Sequence, residues 1–317
     1  VAPLYAIAGV MRILFTGASS FTGYWFVKAL AESGHEVVAP LRAAVASYSG
    51  VRRQRVDRLS SIACVVEECP FGSRQFLDLA SEGFDLLCHH AATVSGYKSE
   101  QFDICAAVQN NTCNLPLILE KMGGRHLALT GSLFESGEGR GTNLDTPFSP
   151  YGLSKQISYQ IASYQAEKAG VVVGKFVIPN PFGPLEEARF TSYLARCWAE
   201  GRVAVVQTPD YIRDNIHVSL LALAYRDFIQ KLVVSPSKIH LGPSGYQESQ
   251  GAFARRFAKE MEKRLPYPCP LEMACQDEFS EPLERVNVDR IDAKRLGWSE
   301  SQAWDELANA YLEEVYV

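Results

Sequence analysis

Tyr151 and Lys155 stand four residues apart in Tyr151-Gly-Leu-Ser-Lys155, a stretch that reads as the start of a helix. Residues i and i+4 share one face of a helix, so the phenol and the ammonium point the same way. A nearby ammonium favours phenolate and lowers a tyrosine pKa from about 10 toward the working range. Such a tyrosine can take or give the proton of a carbinol while a hydride moves to or from a nicotinamide ring. Lys155 could also hold the ribose of that nicotinamide. Alone, the spacing is common and carries no meaning. Its companion here is Ser132, just past the apolar run Leu127-Ala-Leu-Thr-Gly. A hydroxyl at a strand end could hydrogen-bond a substrate oxygen and polarise a carbonyl. Thr130 is the other candidate for that role. Ser132, Tyr151 and Lys155 are the catalytic candidates.

A second pattern lies near the start. Arg12-Ile-Leu-Phe-Thr-Gly-Ala-Ser-Ser-Phe-Thr-Gly23 reads as a strand, a tight turn and a helix start. Gly17 permits the turn and a close backbone approach to a pyrophosphate, whose charge the helix N-terminus stabilises. Gly23 lets the helix pack close to the strand. Gly17, Ser19, Ser20, Phe21, Thr22 and Gly23 are the dinucleotide-binding candidates, with Ser20 where a middle glycine is common. The second strand ends in Ala39-Pro-Leu-Arg42, without the acidic residue that NAD sites place there for the ribose hydroxyls. Arg42 could instead meet a 2′-phosphate with its fork of donors. NADP is favoured over NAD on that ground. Arg52, Arg53 and Arg55 could help, or could be solvated surface residues.

These groups need a frame, and the chain supplies an alternating one. Strand patterns at Arg12–Phe15, Glu36–Leu41, Ile62–Val66, Leu86–His89, Leu127–Thr130 and Val171–Ile178 are separated by helical patterns at Phe21–Glu32, Arg74–Ala80, Gln101–Lys121 and Ser154–Ala169. Six such strands with crossovers make an α/β, Rossmann-type doubly wound parallel sheet. After Pro179 prolines and glycines become frequent and the alternation is lost. We therefore expect a dinucleotide-binding domain over residues 11–178, to which a late strand near 238–241 returns. Residues 179–317 should be mostly a smaller substrate-binding region, and residues 1–10 an extension ahead of Met11.

Composition narrows the partners. The 317 residues are 47% hydrophobic with a net charge of −5, which favours neither nucleic acid nor an anionic membrane. No apolar run approaches the about 20 residues of a membrane span. The eight cysteines form no CxxC pair and have no histidine at ligand spacing, so no metal is expected. Reduced thiols in a cytoplasmic protein account for them.

Taken together, these residues resemble the extended short-chain dehydrogenases, the NAD-dependent epimerase/dehydratase family. The matching pieces are Thr16-Gly17…Gly23, His90-Ala-Ala92, Ser132 with Tyr151 and Lys155, Pro179-Asn-Pro-Phe-Gly-Pro184, Arg213-Asp-Asn-Ile-His-Val218, and Asp289…Ala293-Lys…Leu296-Gly-Trp298. The resemblance implies that Ala91 and Ala92 line the dinucleotide and that Ile178 approaches its carboxamide. It also implies that Asn180, Arg213 and Arg285 contact substrate, the arginines being suited to a diphosphate. Arg213 could instead pair with Asp210 or Asp214, and His89, His90 and His217 read as packed structural residues.

The implied activity is hydride transfer on a nucleotide-activated sugar, by a 4-ketoreductase or a 4-epimerase. Leu133 and Phe134 stand where the family's dehydratases carry acidic groups, so elimination of water is disfavoured. The alternatives are a non-catalytic NADP-binding sensor on the same fold and a reductase of a non-sugar carbonyl. Apolar positions such as Ile157, Ile161 and Tyr164 add, by analogy with the family, the expectation of a homodimer.

Overall fold

The computed structural model describes residues 9–315; residues 1–8 of the expected extension lie outside it. Seven strands form the central sheet: β1 (Arg12–Thr16), β2 (Glu36–Pro40), β3 (Cys64–Val66), β4 (Leu86–His89), β5 (His126–Ser132), β7 (Val172–Ile178) and β11 (Ile239–Leu241). They lie in the order β3-β2-β1-β4-β5-β7-β11, with every neighbouring pair parallel. The inner strands are apolar and buried along nearly their whole length, as a sheet covered on both faces requires. This is the Rossmann-type doubly wound sheet. Its order reverses between β1 and β4, and the crevice at their C-terminal ends is where such sheets bind ligands.

On one face pack α1 (Phe21–Ala31) and α8 (Val218–Leu232), with α2 (Gly50–Leu59) against α1. Phe26 of α1 stacks on Tyr225 of α8 with ring centroids 4.1 Å apart, closing that core. The other face is covered by α3 (Arg74–Ala80), α4 (Ile104–Thr112), α5 (Leu115–Met122) and α6 (Pro150–Lys168). A second sheet joins β6 (Arg140–Gly141), β8 (Asn180–Phe182), β10 (Ile212–His217), β13 (Tyr246–Ser249) and β15 (Glu284–Val286). Strand β9 (Ala204–Val206) pairs with β14 (Leu271–Met273), and β12 (Pro243–Ser244) with β16 (Asp289–Arg290). Helices α7 (Phe190–Ala199), α9 (Gln250–Glu262) and α10 (Glu300–Val315) enclose a separate core around Trp198, Phe253, Phe257 and Trp304.

Three differences from the sequence expectation bear on the frame of the first 178 residues. The single helix over 101–121 is two, because Asn114 takes a left-handed conformation at φ 53° and Pro116 opens a new first turn. Helix α6 begins at Pro150 rather than Ser154, capped by the Ser149 hydroxyl on the Gly152 N–H at 3.2 Å. Helix α2 was not expected at all: its buried seam is Arg55, Val56 and Leu59, and an arginine on the seam hides the apolar period. All eight cysteines are free thiols, and no helix among the described residues is long and apolar enough to cross a membrane.

Candidate active site

The phosphate-loop residues gather at the crevice. Gly17 has φ +80°, and a Cβ there would sit 2.8 Å from the Ala91 backbone N. Only glycine fits, and the turn therefore lies against the end of β4. Ser20 needs no glycine conformation: its φ is −75°, and its hydroxyl caps α1 by accepting from the Gly23 N–H at 3.1 Å. The first N–H groups of α1 beyond that cap have no partner within the helix and can serve an anion. Ser19 is buried, with its hydroxyl held by Arg52 and its carbonyl by Arg55. Phe21 and Thr22 are buried beneath the loop. His90 ties the loop to the sheet, with Nε2 3.0 Å from the Ser20 hydroxyl and 3.1 Å from that of Thr22, and Nδ1 2.9 Å from Thr130 Oγ1.

The arginines after β2 divide. Arg42 is exposed and makes no hydrogen bond or ion pair among the described residues, and Arg52 is exposed beside Ser19. Arg53 pairs with Asp57 at 2.7 Å. Arg55 is neither a surface residue nor a phosphate ligand. Its guanidinium is fully buried, bonding to the carbonyls of Ser19 and Leu185 and to the Glu187 carboxylate.

Ser132 ends β5, and Tyr151 and Lys155 share the first turns of α6. Gly152 presses the helix onto the loop after Ser132, where a Cβ would collide with the Phe134 carbonyl. The Tyr151 ring lies among Tyr97, Phe102 and Phe134, at centroid distances of 5.8, 5.9 and 6.2 Å. The Ser132 hydroxyl accepts from the Phe134 N–H at 3.2 Å, which leaves its own proton to donate. Lys155 lines a small cavity with Ala91, Thr130, Gly131 and Tyr159, so lysine and crevice meet. Ala92 is half-buried beside Ala91, and Ile178 is half-buried at the end of β7 opposite Ser132.

The electrostatics depart from the expected phenol–ammonium pair. Burial pushes the Tyr151 phenol above its ordinary value, and the Glu135 carboxylate pushes it further. Burial also lowers Lys155, against the attraction of Glu135. The chain alone therefore holds Tyr151 as a neutral phenol, because burial, Glu135 and Tyr97 outweigh the lowering charge of Arg189. Burial likewise keeps the histidines neutral: His89 falls to about 4, and His90 and His217 to about 3.

A second cavity is lined by Leu133, Phe134, Phe148, Asn180, Arg213, Glu281 and Arg285. Arg213 pairs with Glu281 at 2.8 Å, not with Asp210 or Asp214. Arg285 is buried, gives Nη1 to the Leu133 carbonyl and lies 4.9 Å over the Phe148 ring. Its Nε and Nη2 are buried without a partner, and burial drops its pKa to about 10. A buried guanidinium that lines a cavity and keeps two donors unpaired has the chemistry to take an anion. Asn111, which the sequence reading passed over, links β4 to α6. Its side chain bonds the Thr93 N–H at 2.9 Å and the Ser158 hydroxyl at 3.2 Å, and its carbonyl meets His89 Nε2 at 2.8 Å.

The model of the NAD-dependent epimerase/dehydratase family matches residues 13–242. The chain belongs to that family. No curated protein sequence matches it. The family fold recurs in solved structures at low identity. A UDP-glucuronic acid 4-epimerase from Bacillus cereus, solved with NAD, is 16% identical over 96% of this chain and 100% of its own, with a TM-score of 0.74. A UDP-glucose 4-epimerase from Thermotoga maritima, solved with UDP-glucose, is 18% identical over 96% and 100%, with a TM-score of 0.71. A UDP-N-acetylglucosamine 4-epimerase from Methanobrevibacter ruminantium is 14% identical over 96% and 99%, with a TM-score of 0.74. In this family member, Lys155 and Ala91 line one cavity, and Phe134, whose ring lies 6.2 Å from that of Tyr151, lines the arginine cavity.

Proposed function

We propose that this family member transfers hydride at a secondary alcohol or ketone of a nucleotide-activated sugar, as a 4-epimerase or a 4-ketoreductase. The observation that carries the reading is Arg285, which lines a cavity with Asn180 and Arg213, beside Phe134 and hence Tyr151, and keeps Nε and Nη2 buried and unpaired. That placement suits a nucleotide diphosphate held by Arg285 and Arg213, with its sugar reaching toward the Ser132 and Tyr151 hydroxyls. The solved relatives named above act on UDP-sugars, which agrees with it.

Gly17, Ser19, Ser20, Phe21, Thr22, Gly23, Ala91, Ala92 and Ile178 would hold a nicotinamide dinucleotide. When bound, that group supplies the acceptor and donor of hydride. Ser132 donates to the reacting oxygen, and Tyr151 moves its proton at Oη. Lys155 holds the ribose and supports the phenolate as the proton leaves. Arg42 favours NADP, although several solved relatives hold NAD. Helices α4 and α6, with Tyr164 exposed on α6 after the half-buried Ile157 and Ile161, would form a homodimer interface.

The test is Tyr151→Phe, assayed by reduced-nicotinamide absorbance and product analysis on the nucleotide sugar that stabilises the protein most in a thermal-shift panel with NAD and NADP. Turnover should fall about 10²–10⁴-fold with dinucleotide binding retained. Unchanged turnover would sink the assigned mechanism. Dinucleotide binding without turnover of any nucleotide sugar would favour the sensor reading. Dinucleotide retained through purification indicates the epimerase, whereas free exchange indicates the ketoreductase.

A further inference from the structure

Beneath Ser132 lies a buried array of charges that the proposed reaction does not use. Glu135 clamps Ser132 from both sides: its N–H donates to the Ser132 carbonyl at 3.0 Å, and its Oε1 accepts from the Ser132 N–H at 2.8 Å. Its other oxygen lies 2.5 Å from Lys175 Nζ, and the same ammonium reaches Glu138 Oε1 at 2.6 Å. All three residues are buried. Glu138 in turn meets His240 Nε2 at 2.8 Å, and that imidazole is half exposed at the sheet edge. Lys175 sits 4.1 Å over the Tyr159 ring and lines the cavity that Lys155 also lines. Gly131 completes the fit, because a Cβ there would come within 2.7 Å of Lys175 Cε and 3.0 Å of Glu135 Oε1.

Three buried charges are too many for packing alone, and apolar residues of similar volume would often be at least as stable. The Glu135 carboxylate is wholly enclosed and occupied by its partners, so it is no acid or base for substrate. What it does reach, electrostatically, is the Tyr151–Lys155 pair. The two carboxylates hold the Lys175 ammonium against the cost of burial. Burial opposes ionisation of Glu138, but His240 and Lys175 outweigh it. Glu138 raises the pKa of His240, which also faces Lys175 and Asp289.

Resting on the proposed role of Tyr151, we propose that Glu135, clamped by Lys175 and Glu138, is a positioning residue of the reaction. It fixes the Ser132 backbone at the end of β5 and acts electrostatically on the Tyr151–Lys155 pair. Glu135 adds to the burial that holds the phenol protonated. The other groups facing the phenol from neighbouring elements are Tyr97, after β4, and Arg189, before α7.

The experiment titrates Tyr151 directly, without substrate. Phenolate absorbance is followed against pH in the full chain with saturating NAD, and the curve of the matching Tyr151→Phe protein is subtracted. Glu135→Gln should lower the Tyr151 midpoint by about one pH unit, because a like charge has gone. Glu135→Asp, which keeps the charge, should return it toward the parent value; a purely structural role would not sort the two variants by charge. Should Glu135→Gln fail to fold, Glu138→Gln leaves Lys175 wholly to Glu135 and should move the midpoint the same way by less. An unmoved midpoint in a folded variant overturns the proposal. The proposed activity fails separately, on unchanged turnover by Tyr151→Phe.

Discussion

At the scale of single residues, side-chain type announced the chemistry and surroundings decided how it runs. Tyr151, Lys155 and Ser132 stand out in the sequence because their spacing is local, and one helical turn carries two of them together. Their ionisation is another matter, since it follows from burial and from Glu135. Arg42 is the clearest residue-level test of cofactor choice. It is exposed just past β2 without a hydrogen bond or ion pair among the described residues, and the Ala39-Pro-Leu-Arg42 stretch carries no carboxylate of its own. A charge-assisted hydrogen bond is worth about 1.5–3 kcal/mol. Arg42→Ala should therefore weaken NADP binding by about tenfold or more and leave NAD nearly unchanged. Isothermal titration with both dinucleotides measures this, and equal losses for the two would refute a 2′-phosphate contact.

Among the elements, α2 shows what periodicity misses. Its inward positions include Arg55, whose guanidinium bonds Ser19 O at 3.0 Å and Leu185 O at 2.7 Å and reaches Glu187. One buried arginine thus pins the phosphate loop, helix α2 and the segment before α7 to each other. Arg55→Met leaves two inward carbonyls without donors while Glu187 can turn to water. Unfolding in urea should show a loss of about 2–4 kcal/mol, together with weaker dinucleotide binding. A loss under about 1 kcal/mol would mean that water replaces the arginine. The break between α4 and α5 is different, because Pro116 inside the expected 101–121 run marks it in the sequence, while the left-handed Asn114 before it leaves no mark on an apolar pattern.

For the whole molecule, the most informative titrating group lies in the segment between β8 and α7. Glu186 joins the end of the β8 segment to α7 and α10, accepting from the Thr191 hydroxyl and from Tyr311 at 3.3 Å. Burial pushes its carboxyl up to about 7 from an ordinary 4.5. The folded state then holds a proton that the unfolded chain releases between about pH 4.5 and 7. Its contribution to stability is full below that window and is lost as the pH rises through it, by roughly 3 kcal/mol in total. Glu186→Gln should therefore gain stability relative to the parent as the pH goes from about 5 to about 8. Parallel urea denaturation at the two values checks this. A constant difference would show that Glu186 titrates normally.

The sequence by itself determined the alternation of strands and helices, the glycine turn and the Tyr–Lys face. Each depends on periods and dihedral preferences that act within a few residues. Tertiary structure alone decided which buried charges meet. Lys175 finds carboxylates 40 and 37 positions away, and Arg55 a carbonyl 130 positions away. It also decided that Arg285 keeps two donors idle. Such pairings arise when distant segments lose water together, and no local pattern records which partner will be there when they do.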